Sequence, residues 1–175
     1  MKTIHIIFLL IGFSLSAQEV DKTKDYSKHS ETLDGTIKTL YSVISGDKGE
    51  ARDWDLFKYL FYQDAKLIPT GKNEDGKTAV RYMTPEDYIN TSGTWLEENG
   101  FHEIEIKRSV ETFGNITHVF STYESYRAKT DEIPFMRGIN SIQLFNDGTR
   151  WWIINIYWMQ ESETNPIPQT YLPEN

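Results

Sequence analysis

Leu33, Ile37, Leu40, Tyr41 and Ile44 recur at helical spacing and predict a first helix, which Ser45-Gly46-Asp47 ends. A second follows, with Asp53 as its N-cap and Trp54, Phe57, Leu60 and Phe61 as its buried face, closed by Gln63-Asp64-Ala65. Lys66 to Ile68 reads as a short strand before Pro69. Asp75-Gly76 is a hairpin signal that lets Thr78 to Tyr82 pair back as a strand. Thr84-Pro85-Glu86-Asp87 combines an N-cap threonine, a proline at the first helical position and an acid at the third. The third helix it starts carries Tyr88, Ile89, Trp95 and Leu96, with a weak point or bend at Gly93 and a stop at Gly100.

Beyond Phe101 the period shortens to two. Glu103-Ile104-Glu105-Ile106-Lys107 alternates cleanly, and Phe113-Gly114-Asn115 is a turn. Thr117 to Tyr126 and Arg137 to Phe145 are strands separated by a polar loop, and Asn146-Asp147-Gly148 turns into the stretch Arg150 to Gln160. That stretch is aromatic and β-branched, and apolar on both parities. Trp152, Ile154, Ile156 and Trp158 fall on one face; Trp151, Ile153, Tyr157 and Met159 fall on the other. Both faces need cover, and each buried Trp removes roughly 150–250 Å² from water, about 4–6 kcal/mol by area. The strand is therefore expected at the centre of a curved sheet. Helices first and an antiparallel meander after them predict an α+β fold.

The 175 residues suit one domain with a sizeable core. A net charge of −8 with no basic patch argues against nucleic acid as a partner. The absence of cysteine excludes disulfides, thiol catalysis, thiolate-bound zinc and a lipidated N-terminal cysteine. Met1-Lys2, the apolar run Ile4 to Leu15 and the small residues ending at Ala17 read as a secretory signal peptide, residues 1–17. The apolar run is too short for a permanent membrane span, so an exported, periplasmic or secreted chain with no membrane contact after cleavage is expected. Residues 18–30 read as a flexible lead-in, 31–161 as the folded domain, and 162–175, rich in Pro, Thr and Glu, as a loosely held tail.

No phosphate loop, dinucleotide glycine signature, nucleophile elbow or paired-histidine zinc helix is present, so neither cofactor nor metal is expected. Glu86/Asp87 and Glu97/Glu98 are adjacent on a helix, point about 100° apart and suit a solvated face. The candidate chemistry lies on the meander: His118, Thr122 and Glu124 share one parity, and Arg137, Asn140, Ser141 and Gln143 follow on the next strand. Directed into a space between sheet and helices, such groups would orient a ligand within aromatic walls. Alternatively, Glu124 and Arg137 form an ion pair at the sheet edge, and the rest satisfy backbone groups.

The order of elements, with FSTYESY, RGINSIQLF and RWWIINIYW, resembles the NTF2-like superfamily in its SnoaL-like branch, over about Leu33 to Gln160. The resemblance implies a cone: about three N-terminal helices on a curved, mainly antiparallel sheet. Ketosteroid isomerase, within that superfamily, uses an aspartate base and a tyrosine with a protonated aspartate as oxyanion donors. Matching to it places Trp158 at a pocket-lining tryptophan, Ser141 at the donor aspartate, Tyr41 close to the donor tyrosine and the base position at Pro69, which cannot accept a proton. A relative, scytalone dehydratase, needs a histidine, for which His118 is the candidate. The resemblance thus implies a ligand pocket formed by Tyr41, Trp95, Thr122, Glu124, Arg137, Ser141, Trp152, Ile154 and Trp158, with Tyr41, His118 and Glu124 as acid/base candidates. It also implies a homodimer through Trp151, Ile153, Tyr157 and Met159. Three functions stay open: binding of a small hydrophobic ligand without chemistry, a lyase, isomerase or hydrolase activity, and a structural or protein-interaction role.

Overall fold

A computed structural model describes residues 24–174. The expected signal peptide lies outside the described residues. Three helices, α1 (Leu33–Ile44), α2 (Trp54–Tyr59) and α3 (Pro85–Asn99), accompany six strands. The strands are β1 (Phe61–Lys72), β2 (Thr78–Val80), β3 (His102–Phe113), β4 (Ile116–Tyr126), β5 (Met136–Asn146) and β6 (Trp151–Gln160). They form one mixed sheet in the order β2-β1-β6-β5-β4-β3, antiparallel except where β1 runs parallel to β6.

Local chemistry sets the helix starts. Thr32 accepts a hydrogen bond from the Gly35 amide, Asp53 from Leu56, and Thr84 from Asp87, whose carboxylate returns to the Thr84 amide in a complete capping box. α3 ends at Gly100, whose φ of 71° suits glycine. α3 runs unbroken through Gly93. This glycine is buried, and the Trp54 ring would lie 3.2 Å from any Cβ there, so its role is to let the ring close on the helix. α2 is shorter than expected: it stops at Tyr59, and Gln63, Asp64 and Ala65 lie in an irregular part of β1, with Asp64 at a φ of 61°.

The apolar stripes of the helices meet the sheet in one core, where Ile37, Leu40 and Phe57 pack with Val119, Ile142 and Ile153. The sheet is interrupted at one informative place. Gln143 pairs with Asn155 but Leu144 pairs with Ile153, so Ile154 is an extra residue, a β-bulge in β6. The bulge reverses the parity of half the strand. Trp151 and Ile153 face the core, with Ile153 fully buried, and so cannot form an intermolecular surface as expected. Trp152 is on the opposite, outer face, beside Tyr62 at 5.6 Å, while Arg150 stacks between Tyr59 and Trp152 at 3.6 Å from each ring. After the bulge Ile156 and Trp158 turn inward, and Tyr157 and Met159 stay outside.

Neither chain end is loose where it is described. Lys24 and Tyr26 bind Asp53 at 3.0 and 2.9 Å, Ser30 is buried, and its carbonyl accepts from the Trp151 amide. The tail crosses the outer face of the sheet. Thr122 donates to the Tyr171 carbonyl, Lys107 to the Leu172 carbonyl, and the Phe120 and Tyr171 rings lie 5.0 Å apart. Among the described residues no helix is long and apolar enough to cross a membrane.

Candidate functional site

A cavity of about 220 Å³ lies between the helices and the inner face of the sheet. Its walls are largely aromatic: Phe57 from α2, Tyr88 and Trp95 from α3, Phe101, Tyr123 from β4 and Trp158 from β6. Phe57 and Tyr88 stack at 5.4 Å and hold each other in place. Gly138 on β5 makes room for Tyr123, because a Cβ there would lie 2.5 Å from the phenol oxygen.

Into these walls the first residues of β3 bring one ionisable group, Glu103. Its partner across the ladder is Ser125, a small residue that leaves room for the carboxyl and donates to it at 3.1 Å. Asn140, from β5, is its second hydrogen-bonding neighbour. Burial dominates over both and pushes the Glu103 carboxyl from 4.5 up to about 7. Burial, with the Glu103 charge second, also raises the phenols of Tyr88 and Tyr41, and those two causes lead for Tyr123 as well. These hydroxyls therefore stay protonated near neutrality and are available as donors. A carboxyl that exchanges a proton near pH 7, among hydroxyl donors and rings, can accept a proton, return it, or hold a complementary ligand group.

Tyr41 secures the wall. Asn140 donates to the Tyr41 oxygen at 3.1 Å, and the Tyr41 hydroxyl lies 2.7 Å from Ser121 Oγ. Ser121 donates to Glu105, which accepts from Arg108 Nε at 2.8 Å. Because Asn140 and Ser121 are committed as donors, Tyr41 donates to Ser121, and the chain points one way toward the Glu105–Arg108 pair.

The structure divides the residues expected at the pocket. Tyr41 stands behind its wall, bonded to the lining residue Asn140, Trp158 lines it, and Trp95 forms its rim, 42% exposed and under the Arg127 guanidinium at 4.3 Å. Thr122, Glu124, Arg137 and Ser141 point to the outer face. There Arg137 binds Glu161 at 2.7 Å and faces Glu124 at 3.8 Å, and Ser141 is 3.0 Å from His118 Nε2. Trp152 is outside as described, and Ile154 occupies the bulge. Pro69 pairs with Trp158 in the β1–β6 ladder. Glu103 was not anticipated, because Glu103-Ile104-Glu105 alternates like a strand that turns its acids to water. In fact Ile104 is the exposed residue, at 48%. The available signal was on β4, where Ser121 and Ser125 share a parity with Val119 and Tyr123, small polar residues within an apolar face.

No protein-family model matches this chain, and no curated protein matches it by sequence. Solved structures do. An NTF2-like protein of unknown function from Pseudomonas putida KT2440 superposes with a TM-score of 0.55 at 11% identity, covering 76% of this chain and 88% of its own. One from Silicibacter pomeroyi gives 0.52 at 14% identity, with coverages of 74% and 92%. The β subunit of a putative aromatic-ring-hydroxylating dioxygenase from Novosphingobium aromaticivorans gives 0.56 at 10%, with 77% and 94%. Sequence identity this low carries the architecture and nothing finer. Three helices on one six-stranded mixed sheet, in this order and superposing on these structures, make the fold of this chain NTF2-like.

Proposed function

We propose that this chain is an exported NTF2-like domain that binds a small organic molecule in the aromatic-walled cavity between helices and sheet. One observation carries the reading: about 220 Å³ of space remains among those rings, with Glu103 and Asn140 directed into it. A chain whose own tryptophans filled the space would favour a structural role instead, but Trp152 lies outside and Trp95 only at the rim. The volume is below the roughly 300–1,000 Å³ usual for ligand clefts, which favours a single-ring molecule. Thermal-shift screening against a chemically diverse metabolite library tests this, because a ligand specific to the folded state raises the unfolding temperature. No hit in any class would sink it.

A second reading, a lyase, isomerase or hydrolase on a small hydrophobic substrate, is favoured by the Glu103 carboxyl near neutrality beside the Tyr88 and Tyr123 hydroxyls. The acid/base group of this reading is Glu103, not His118 or Glu124. The fold does not choose between the two readings. We also propose that the outer face, where Tyr157 and Met159 are 44% and 42% exposed, joins two copies about a two-fold axis. For export, the N-terminal residue of the mature protein is the test, and Gln18 is expected.

A further inference from the structure

The charges around Glu103 are distributed unevenly. The half-buried carboxyl is largely withdrawn from water, yet the groups that favour its charged form are neutral, Ser125 and Asn140. Every nearby basic side chain has another partner or makes no ion pair with the carboxyl. Arg52, itself buried, donates to the carbonyls of Ile44, Gly46 and Leu96. His102 is bound to Asp47 at 2.8 Å. Arg108 is held by Glu105 and Asp34. Arg127 lies over the Trp95 and Phe135 rings at 4.3 and 4.1 Å. Lys38 and Lys129 line an open groove between α1 and β3 that Glu103 also borders, together with Asp34, Glu105 and Asp131, but neither lysine pairs with Glu103. The other titratable groups facing the carboxyl are the phenols of Tyr41, Tyr88 and Tyr123, neutral near pH 7.

From this arrangement we infer that the ligand of the cavity is a small organic cation, an alkyl- or aryl-substituted ammonium whose charge is placed against Glu103 and the surrounding ring faces. The inference rests on the cavity being a ligand site and names the class of molecule it takes. A cation restores what burial withdrew from the carboxylate, and ring faces attract it through their negative quadrupoles. An anion meets an acid without a counter-ion and is excluded. A neutral molecule fills the space but leaves the carboxylate unpaired. The net charge of −8 also draws cations toward the protein.

Binding of this kind depends on the ionised form of Glu103, which burial makes scarce below about 7. The test uses phenyltrimethylammonium, charged at every pH, against tert-butylbenzene, its uncharged isostere, by titration calorimetry on the full mature chain. The cation is expected to bind more tightly, and about tenfold more tightly at pH 8 than at pH 6, since each unit below the carboxyl's midpoint removes roughly a factor of ten. Glu103→Gln, checked by circular dichroism for an unchanged fold, should abolish both the preference and the pH dependence; Glu103→Asp should retain part of each. Equal, pH-independent binding of both probes would overturn the cation assignment while leaving the small-molecule cavity standing. A preference for the cation that survives Glu103→Gln would overturn the role of the carboxyl. No binding of either probe overturns the cation assignment, and when joined to an empty metabolite screen it removes the cavity reading as well.

Discussion

Replacing Glu103 by glutamine isolates the energetic consequence of burying this carboxyl. The group titrates near 4.5 in the unfolded chain and about 7 in the folded one. Between those values the folded state holds the proton more firmly, so raising the pH through this window removes stability. The cost begins above 4.5, grows until about 7 and is constant beyond it. At 1.36 kcal/mol per tenfold it reaches about 3 kcal/mol, an upper figure because water entering the cavity relieves part of it. Glutamine has nearly the same shape and never ionises. Urea unfolding of the parent and of Glu103→Gln, at intervals from pH 5 to pH 8, should therefore diverge with pH. The two are expected to be close at pH 5, with the variant more stable by about 2–3 kcal/mol at pH 8. Carboxylates held low by hydrogen bonds, such as Asp147 with Trp152 and Thr149 or Asp87 with Thr84, lose their contribution as pH falls below the ordinary aspartate range. That loss is common to both proteins and cancels in the difference. Parallel curves over the whole range would refute the claim that Glu103 is withdrawn from water without a counter-ion.

Three further outcomes follow from packing. Phe57→Ala removes a ring that touches Trp54, Phe61 and Tyr88 and should cost about 3–5 kcal/mol in chemical denaturation. Gly138→Ala places a Cβ within 2.6 Å of the Met159 carbonyl as well as against the Tyr123 hydroxyl, and should cost about 1–3 kcal/mol with reduced ligand response in thermal shift. Light scattering should show the parent as the proposed dimer and Tyr157→Glu or Met159→Glu as monomer; a monomeric parent or a variant that stays dimeric would refute the outer face as the contact.

The caps show what was local. Thr84-Pro85-Glu86-Asp87 and Asp53 satisfy amides within three residues of themselves, and Asp75-Gly76 closes its own hairpin, with the Gly76 amide donating to Asn73. Such signals are complete in a short stretch, so they were legible before any fold was known. The α+β class, the meander and the apolar character of β6 on both faces were legible for the same reason.

Which side of each strand faces the cavity was not. A strand with period two carries no marker of direction when both parities are apolar, and one inserted residue exchanges them. In β6 that residue is Ile154, unpaired against β5, and it sends Trp151 and Ile153 into the core and Trp152 out. In β3 the acidic parity faces inward because Ser125 and Ser121 across the ladder supply space and hydroxyls that no residue within β3 announces. Local pattern was enough to place the elements, their order and an aromatic core. That Glu103 is the carboxyl inside it follows from long-range register and from which neighbours are small, and neither is written in any short stretch of the chain.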